Sequence, residues 1–109
     1  SNHGGRALDQ SPSSLQRLPK IREAVGEEMT ILLDSGIRSG QDIFAALASG
    51  ADAALIGRLQ LYALAVAGAL GVAHLLKLLT EELQLCMALC GCASLQQIQA
   101  KHLVEGVDV

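Results

Sequence analysis

The chain has 109 residues and a mass of 11.4 kDa, half of them hydrophobic, which suits one modest domain and excludes a disordered chain. Eleven acidic residues against eight basic ones give a net charge of −3 with no Lys/Arg-rich run, so the electrostatic footprint of a nucleic-acid binder is missing. One Phe, one Tyr and no Trp stand among many Ala and Leu, a balance that favours helices on an aliphatic core over a β-sandwich.

Taken in chain order, Leu15, Leu18, Ile21 and Val25 recur at helical spacing, with Pro19 near the expected start and Gly26 near the end. This predicts a first helix. Two short apolar runs follow, Met29 to Leu33 and Ala53 to Ile56, each fit for a strand buried on both faces. Between them, Ser39 to Ser49 opens on a Ser39/Asp42 cap, carries Ile43, Ala46 and Leu47 on one face and stops at Gly50. Strand, helix, strand at this length implies parallel pairing, the βαβ unit.

Leu59 to Leu70 is apolar except for Gln60 and Gly68, and at twelve residues it falls short of the roughly 20 that a membrane helix needs. Val72, Leu75, Leu76, Leu79, Leu83, Cys86, Met87 and Cys90 then form a helical stripe, widened by Leu78, Leu85 and Leu89. Such a helix wants partners on two sides. Ser94 to Val109 is expected to add a helical turn or two. The polar, Gly-rich start at Ser1 reads as cut, with no signal peptide, and three cysteines in one helical region favour a reducing, cytoplasmic setting over a disulfide framework. Cys86 and Cys90 read as small buried hydrophobes rather than metal ligands, and no metal site is expected. His74 and His102 lie in no motif and are assigned no role.

Two parallel strands cannot cover three or four helices, because purely parallel sheets are larger and buried on both faces. The chain is therefore expected to be incomplete as a domain and to expose a large apolar patch.

Three segments carry a common chemistry: Ser1-Asn-His-Gly-Gly-Arg6, Asp34-Ser-Gly-Ile-Arg38 and Gly57-Arg58, the last two directly after the predicted strands. Each pairs glycine, which admits close approach of backbone N–H groups, with arginine, whose planar fork matches an oxyanion. A following helix N-terminus adds partial positive charge. Together they describe a phosphate site, and in (β/α)8 barrels such a site commonly lies in the loops after strands seven and eight.

On these residues the chain resembles the FMN-dependent α-hydroxy acid oxidases and dehydrogenases, which fold as (β/α)8 barrels. The resemblance rests on Ser-Asn-His-Gly-Gly-Arg-Ala-Leu-Asp (1–9), Asp-Ser-Gly-Ile-Arg-Ser-Gly-Gln-Asp-Ile (34–43) and Gly-Ala-Asp-Ala-Ala-Leu-Ile-Gly-Arg (50–58), in family order and spacing. It continues through Tyr62-Ala-Leu-Ala and Gly91-Cys92, and looks most like the bacterial respiratory L-lactate dehydrogenases. Ala7, Ser49 and Leu59-Gln60 depart from the family pattern.

The resemblance implies an α/β fold: residues 1–109 as the C-terminal part of the barrel, comprising helix 6, strand 7, helix 7, strand 8 and helix 8. It implies FMN as cofactor, held by Ser1, Asp34, Ser35, Gly36, Ile37, Arg38, Gly57 and Arg58. His3 would be the catalytic base and Arg6 the clamp on the carboxylate of an L-2-hydroxy acid, with L-lactate favoured and a quinone or oxygen as electron acceptor. Imidazole suits a base at neutral pH, and a planar guanidinium suits a planar carboxylate. The parent enzyme would be a homo-oligomer, a tetramer, cytoplasmic or peripheral on the cytoplasmic face of the membrane. The family's flavin-activating lysine, substrate-binding tyrosines and the acidic partner of the catalytic histidine would lie upstream, so this chain alone would be inactive. Two alternatives stand beside this reading: a phosphate-binding barrel fragment of other chemistry, which would not require His3 with Arg6, and a non-catalytic oligomerising module.

Overall fold

The computed structural model describes residues 3–104. Helix α1 (Ser14–Val25) leads into strand β1 (Leu32–Leu33), helix α2 (Gly40–Ala48), strand β2 (Ala53–Ala54) and helix α3 (Arg58–Leu89). Single 3-10 turns occupy His3–Arg6, Leu95–Gln97 and Ala100–His102. The strands pair in parallel, Leu32 with Ala53 and Leu33 with Ala54, so the βαβ unit read from the sequence is present.

Helix α1 starts earlier than Pro19 suggests. Ser13 caps it, its Oγ accepting from the Gln16 N–H while the Gln16 side chain accepts from the Ser13 N–H. This reciprocal box satisfies two of the donors left open at a helix start. Pro19 consequently sits inside the helix rather than at its start. Gly26, at φ +71, ends the helix, and its N–H donates to the Arg22 carbonyl.

Both strands are shorter than the apolar runs that announced them, although backbone bonds from Asp52 N to Ile31 O and from Leu55 N to Leu33 O extend the pairing beyond them. The expectation of two buried faces also fails within this chain: Leu33 is 4% exposed, but Leu32 is 56% exposed. Leu33 turns toward the helices, and no segment of the described residues covers the opposite face.

Helix α2 is buried on two flanks. Ala46, with Ile43 beside it, joins Leu18, Leu33, Ile37 and Ala51 in one core; Phe44 and Ala48 join Cys92 and Ile98 in a second. The Ser39 hydroxyl caps the helix by accepting from Asp42 N–H at 3.2 Å, as the sequence predicts. At Gly40 a Cβ would overlap the backbone of Glu82 and Leu83, so glycine permits the close approach of α2 to α3.

Helix α3 joins the two apolar stretches separated in the sequence reading, and by length and composition alone it is long enough and apolar enough to cross a membrane. Non-helical backbone at Ala67 and Gly68, the latter at φ +59, breaks it into 58–66 and 69–89. Leu79 is its one buried residue among those described, and Leu83, Cys86 and Met87 pack on the second core. Leu61, Val66, Leu70, Leu85 and Leu89 are exposed.

Arg22 is the tie between segments. Its guanidinium donates to the carbonyls of Gly50, Gly26 and Met29, each at 2.8 Å, and to the Asp52 carboxylate at 2.7 Å. The backbone N–H of Ile31 donates to the same carboxylate at 2.8 Å, and this bond, with the Arg22 guanidinium, holds the Asp52 carboxyl below its ordinary range.

Two outcomes follow. Arg22→Met lowers the Tm of the intact protein by about 5 °C, since several charge-assisted bonds are lost together. A carboxyl lowered in the folded state contributes stability above its unfolded value of about 3.9 and loses that contribution as pH falls through the lowered value, so the gap in Tm between native and variant narrows below about pH 4. Residues 1–109 expressed alone self-associate through the exposed apolar faces, as light scattering would show; a monodisperse, cooperatively melting monomer would contradict this.

Candidate functional site

The loops that follow the strands lie side by side because the strands are parallel neighbours, which brings both loops to the same end of the sheet. In the first, Ser35 at φ +105 and Gly36 at φ +77 place two successive residues in the left-handed region. Glycine does this freely, whereas serine does so under strain. Ile37 is buried and anchors the loop on the first core, and Arg38 beside it is exposed. The Arg38 N–H donates to the Asp42 carboxylate at 2.8 Å.

In the second loop Gly57 is the N-cap of α3 and Arg58 its first residue, with no side chain capping the helix start. The first turn is closed by Leu61 N–H donating to the Gly57 carbonyl at 3.3 Å. His3 and Arg6 come from the 3-10 turn at the beginning of the chain, and both are exposed.

These segments line one cleft of about 560 Å³: His3, Arg6, Asp34, Ser35, Gly36, Ile37, Arg38, Leu55, Gly57, Arg58 and Leu61. Every candidate site residue named from the sequence lies on it except Ser1, which falls outside the described residues. Three arginines face a single carboxylate, Asp34, among the lining side chains, which makes the cleft a place for anions. Leu55 and Leu61 were not foreseen; Leu61 shares a helix face with Gly57 and Arg58 by its spacing, and that period could have marked it. A second cavity of about 610 Å³ lies toward the other ends of the strands, on Arg22, Asp52, Ala48 and Ile98 among others, and holds none of the predicted residues.

Away from the cleft, His102 packs its ring edge-on to Phe44, with centroids 6.1 Å apart, and its Nε2 lies 3.6 Å from the Cys92 Sγ. Burial, then the neighbouring Cys90 thiol, pushes the Cys86 thiol up. His74 is exposed, and no group of three His, Cys, Asp or Glu able to hold a metal occurs among the described residues.

Comparison with known proteins gives the chain its family. Residues 1–105 match the family model described as FMN-dependent dehydrogenase. An L-lactate oxidase of Alicycliphilus denitrificans is 66% identical over 98 residues, covering 90% of this chain and 27% of that protein. An L-lactate dehydrogenase of Chromohalobacter salexigens is 48% identical over 106 residues, again 27% of its length. Among solved structures, the monotopic membrane protein (S)-mandelate dehydrogenase superposes with a TM-score of 0.88 at 40% identity, covering 97% of this chain and 28% of that one. A mandelate oxidase with benzoylformic acid gives 0.83 at 46% identity, covering 91% and 30%. The fold is a fragment of an α/β barrel of FMN enzymes. The chain belongs to the FMN-dependent dehydrogenase family, and it spans little more than a quarter of the length of the curated relatives it matches.

Proposed function

We propose that residues 1–109 form the C-terminal part of the barrel of an FMN-dependent L-2-hydroxy acid dehydrogenase, with α1 as helix 6, β1 as strand 7, α2 as helix 7, β2 as strand 8 and α3 as helix 8. The observation that carries the reading is the convergence of His3, Arg6, Asp34 to Arg38, Gly57 and Arg58 on one cleft at the C-terminal ends of parallel strands, where barrel enzymes place their chemistry.

The residues present fit a phosphate-bearing cofactor. Arg38 and Arg58 supply charge, the start of α3 has no side-chain cap, and Gly57 leaves its approach open, a Cβ there meeting nothing within 4 Å. Arg58 and Gly57 hold the phosphate on this reading, while Asp34, Ser35, Gly36, Ile37 and Arg38 hold the ribityl chain and share the phosphate. FMN, when bound, supplies the two-electron acceptor for the substrate's α-carbon. His3 takes a proton from the substrate as the hydroxy acid becomes a 2-oxo acid, and Arg6 clamps the substrate carboxylate through its fork of donors. The electron acceptor on this reading would be a quinone or oxygen.

L-lactate is the substrate we favour, supported by the names of the most similar curated relatives. A homotetrameric parent on the cytoplasmic side, with peripheral membrane contact, belongs to the same proposal; the description of one solved relative as monotopic supports the membrane contact. With its other barrel strands missing, the chain alone is inactive on this reading.

The test uses the intact enzyme. Anaerobic stopped-flow with L-lactate bleaches the flavin, and His3→Gln slows that reduction by about 10²- to 10⁴-fold while FMN stays bound. Unchanged reduction would remove His3 from its role. Arg58→Ala weakens FMN retention by about tenfold or more, read by flavin fluorescence after dilution.

A further inference from the structure

Helix α3 serves two places at once. Its start, with Arg58 and Leu61, lines the cleft, while its later part packs on α2, where glycine at 40 admits the backbone of Glu82 and Leu83 and where Leu83, Cys86 and Met87 join the second core. Unbroken, its 32 residues would run about 48 Å, more than the 41 Å of the molecule's longest extent. The break lets both ends reach their places. Ala67 has φ −148 and ψ 22, and Gly68 has φ +59 and ψ −139, a conformation open to glycine and rarely adopted by a residue with a Cβ. Across the break Gly71 sits against Ala63: a Cβ on Gly71 would overlap the Ala63 carbonyl oxygen, so the first turn of 69–89 lies directly on the last turns of 58–66. A Cβ on Gly68 would meet nothing within 4 Å, so the two glycines act differently, Gly68 through its torsions and Gly71 through a contact.

Segment 58–66 is placed by its ends more than by its sides. Leu61, Tyr62, Leu64 and Val66 are half or more exposed, whereas its start follows β2 through Gly57 and its end is the joint at Gly68 and Gly71. Whatever part of the barrel lies over those side chains, both ends are set within this chain. We propose that Gly68 and Gly71 are positioning residues for cofactor binding: the joint fixes the direction of 58–66 and so sets Arg58 where it meets the cofactor's phosphate. The inference rests on the FMN reading of the cleft. It gives two residues that do not line the cleft a role in telling a phosphorylated flavin from an unphosphorylated one. Barrel phosphate sites frequently include the start of a short extra helix, and the joint is what makes 58–66 short.

The experiment measures dissociation constants of FMN and of riboflavin, the same flavin without its phosphate, in the intact enzyme for Gly71→Ala, Gly68→Ala, Arg58→Ala, the Gly71→Ala/Arg58→Ala double variant and Ser13→Ala. Gly71→Ala weakens FMN by about 5- to 30-fold, the scale of a displaced charge-assisted contact, and leaves riboflavin within about twofold, so the preference for FMN falls. Gly68→Ala does the same, because a Cβ at that φ opens the bend. In the double variant the FMN loss stays well below the product of the two single losses, since a helix turned away from the phosphate takes Arg58 with it. Ser13→Ala, which removes the α1 cap, lowers Tm and leaves both affinities and their ratio unchanged.

Native FMN affinity in both glycine variants, with Arg58→Ala weakened, would overturn the inference and leave the FMN reading standing. Equal loss of FMN and riboflavin would reduce the joint to a bend with no bearing on the phosphate, and multiplicative losses in the double variant would detach it from Arg58; either result overturns the proposal. If Arg58→Ala and the glycine variants all bind both flavins as the native enzyme does, the phosphate reading itself fails. Should Gly71→Ala not fold, Gly68→Ala carries the same comparison, its added methyl meeting no atom within 4 Å.

Discussion

The guanidinium of Arg22 joins the turn after α1, the end of α2 and the residue before β2 at one point, and the placement of both strands depends on it. Each strand is two residues long, so the ladder between them is too short to correct its own register. Register is set instead at the entry, where Asp52 accepts from both Arg22 and the Ile31 N–H and aligns Leu32 with Ala53. A slip of one residue would turn Leu33 out of the core and Leu32 into it. Because the strands are so short, the same node decides where the loops 34–38 and 55–58 emerge. Gly50 belongs to this node: its φ is +116, and a Cβ there would lie 3.0 Å from the Arg22 Cβ, so glycine is needed both for the turn and for the room beside the arginine.

What the node cannot supply is cover. Leu32, Leu61, Leu70 and Leu85 stay half to four-fifths exposed, and burying such a side chain is worth about 1.5–3 kcal/mol each. The helices on one side of a two-stranded sheet leave its other face bare, which the architecture of a closed barrel would not. The apolar faces are thus the complement of the barrel that this chain spans only in part.

Much of this was legible in the residues. Ser39 with Asp42, Gly50, and the two apolar runs announced strand, helix and strand because each element carries its own local signal, a cap, a stop or an unbroken β-branched and aliphatic run. The Gly-Arg pairs after the runs announced the cleft, since parallel pairing brings successive strand ends together whatever else surrounds them. Pro19 misled because proline suits a helix start, whereas the stronger signal was the Ser13/Gln16 box before it. The burial of both strand faces was overestimated because cover is tertiary, and no described segment of these residues supplies it. The ties of Arg22 were invisible for another reason. An arginine on a helix reads as solvated until the fold brings distant carbonyls to it, and here Gly50 and Asp52 are 28 and 30 residues away.

The cleft is unevenly built, and the unevenness follows from which segments hold it. The side lined by Arg38 and Arg58 stands on β1, β2 and the two helices that follow them, with Ile37 buried in the core and Arg38 tied to Asp42. Its other side, His3 and Arg6, stands on a 3-10 turn whose backbone bonds are local, from Ala7 and Leu8 to the Gly4 carbonyl and from Ser11 to the Leu8 carbonyl. Groups that do chemistry must be held within fractions of an ångström, and a short 3-10 turn does not by itself ensure that. On the proposed reading, cofactor recognition is therefore largely encoded in this chain, while the orientation of the base and the carboxylate clamp is imposed by the remaining strands of the barrel. On that reading binding and turnover separate physically, the one depending on Arg22 and the short parallel pair, the other on the barrel strands that close around His3.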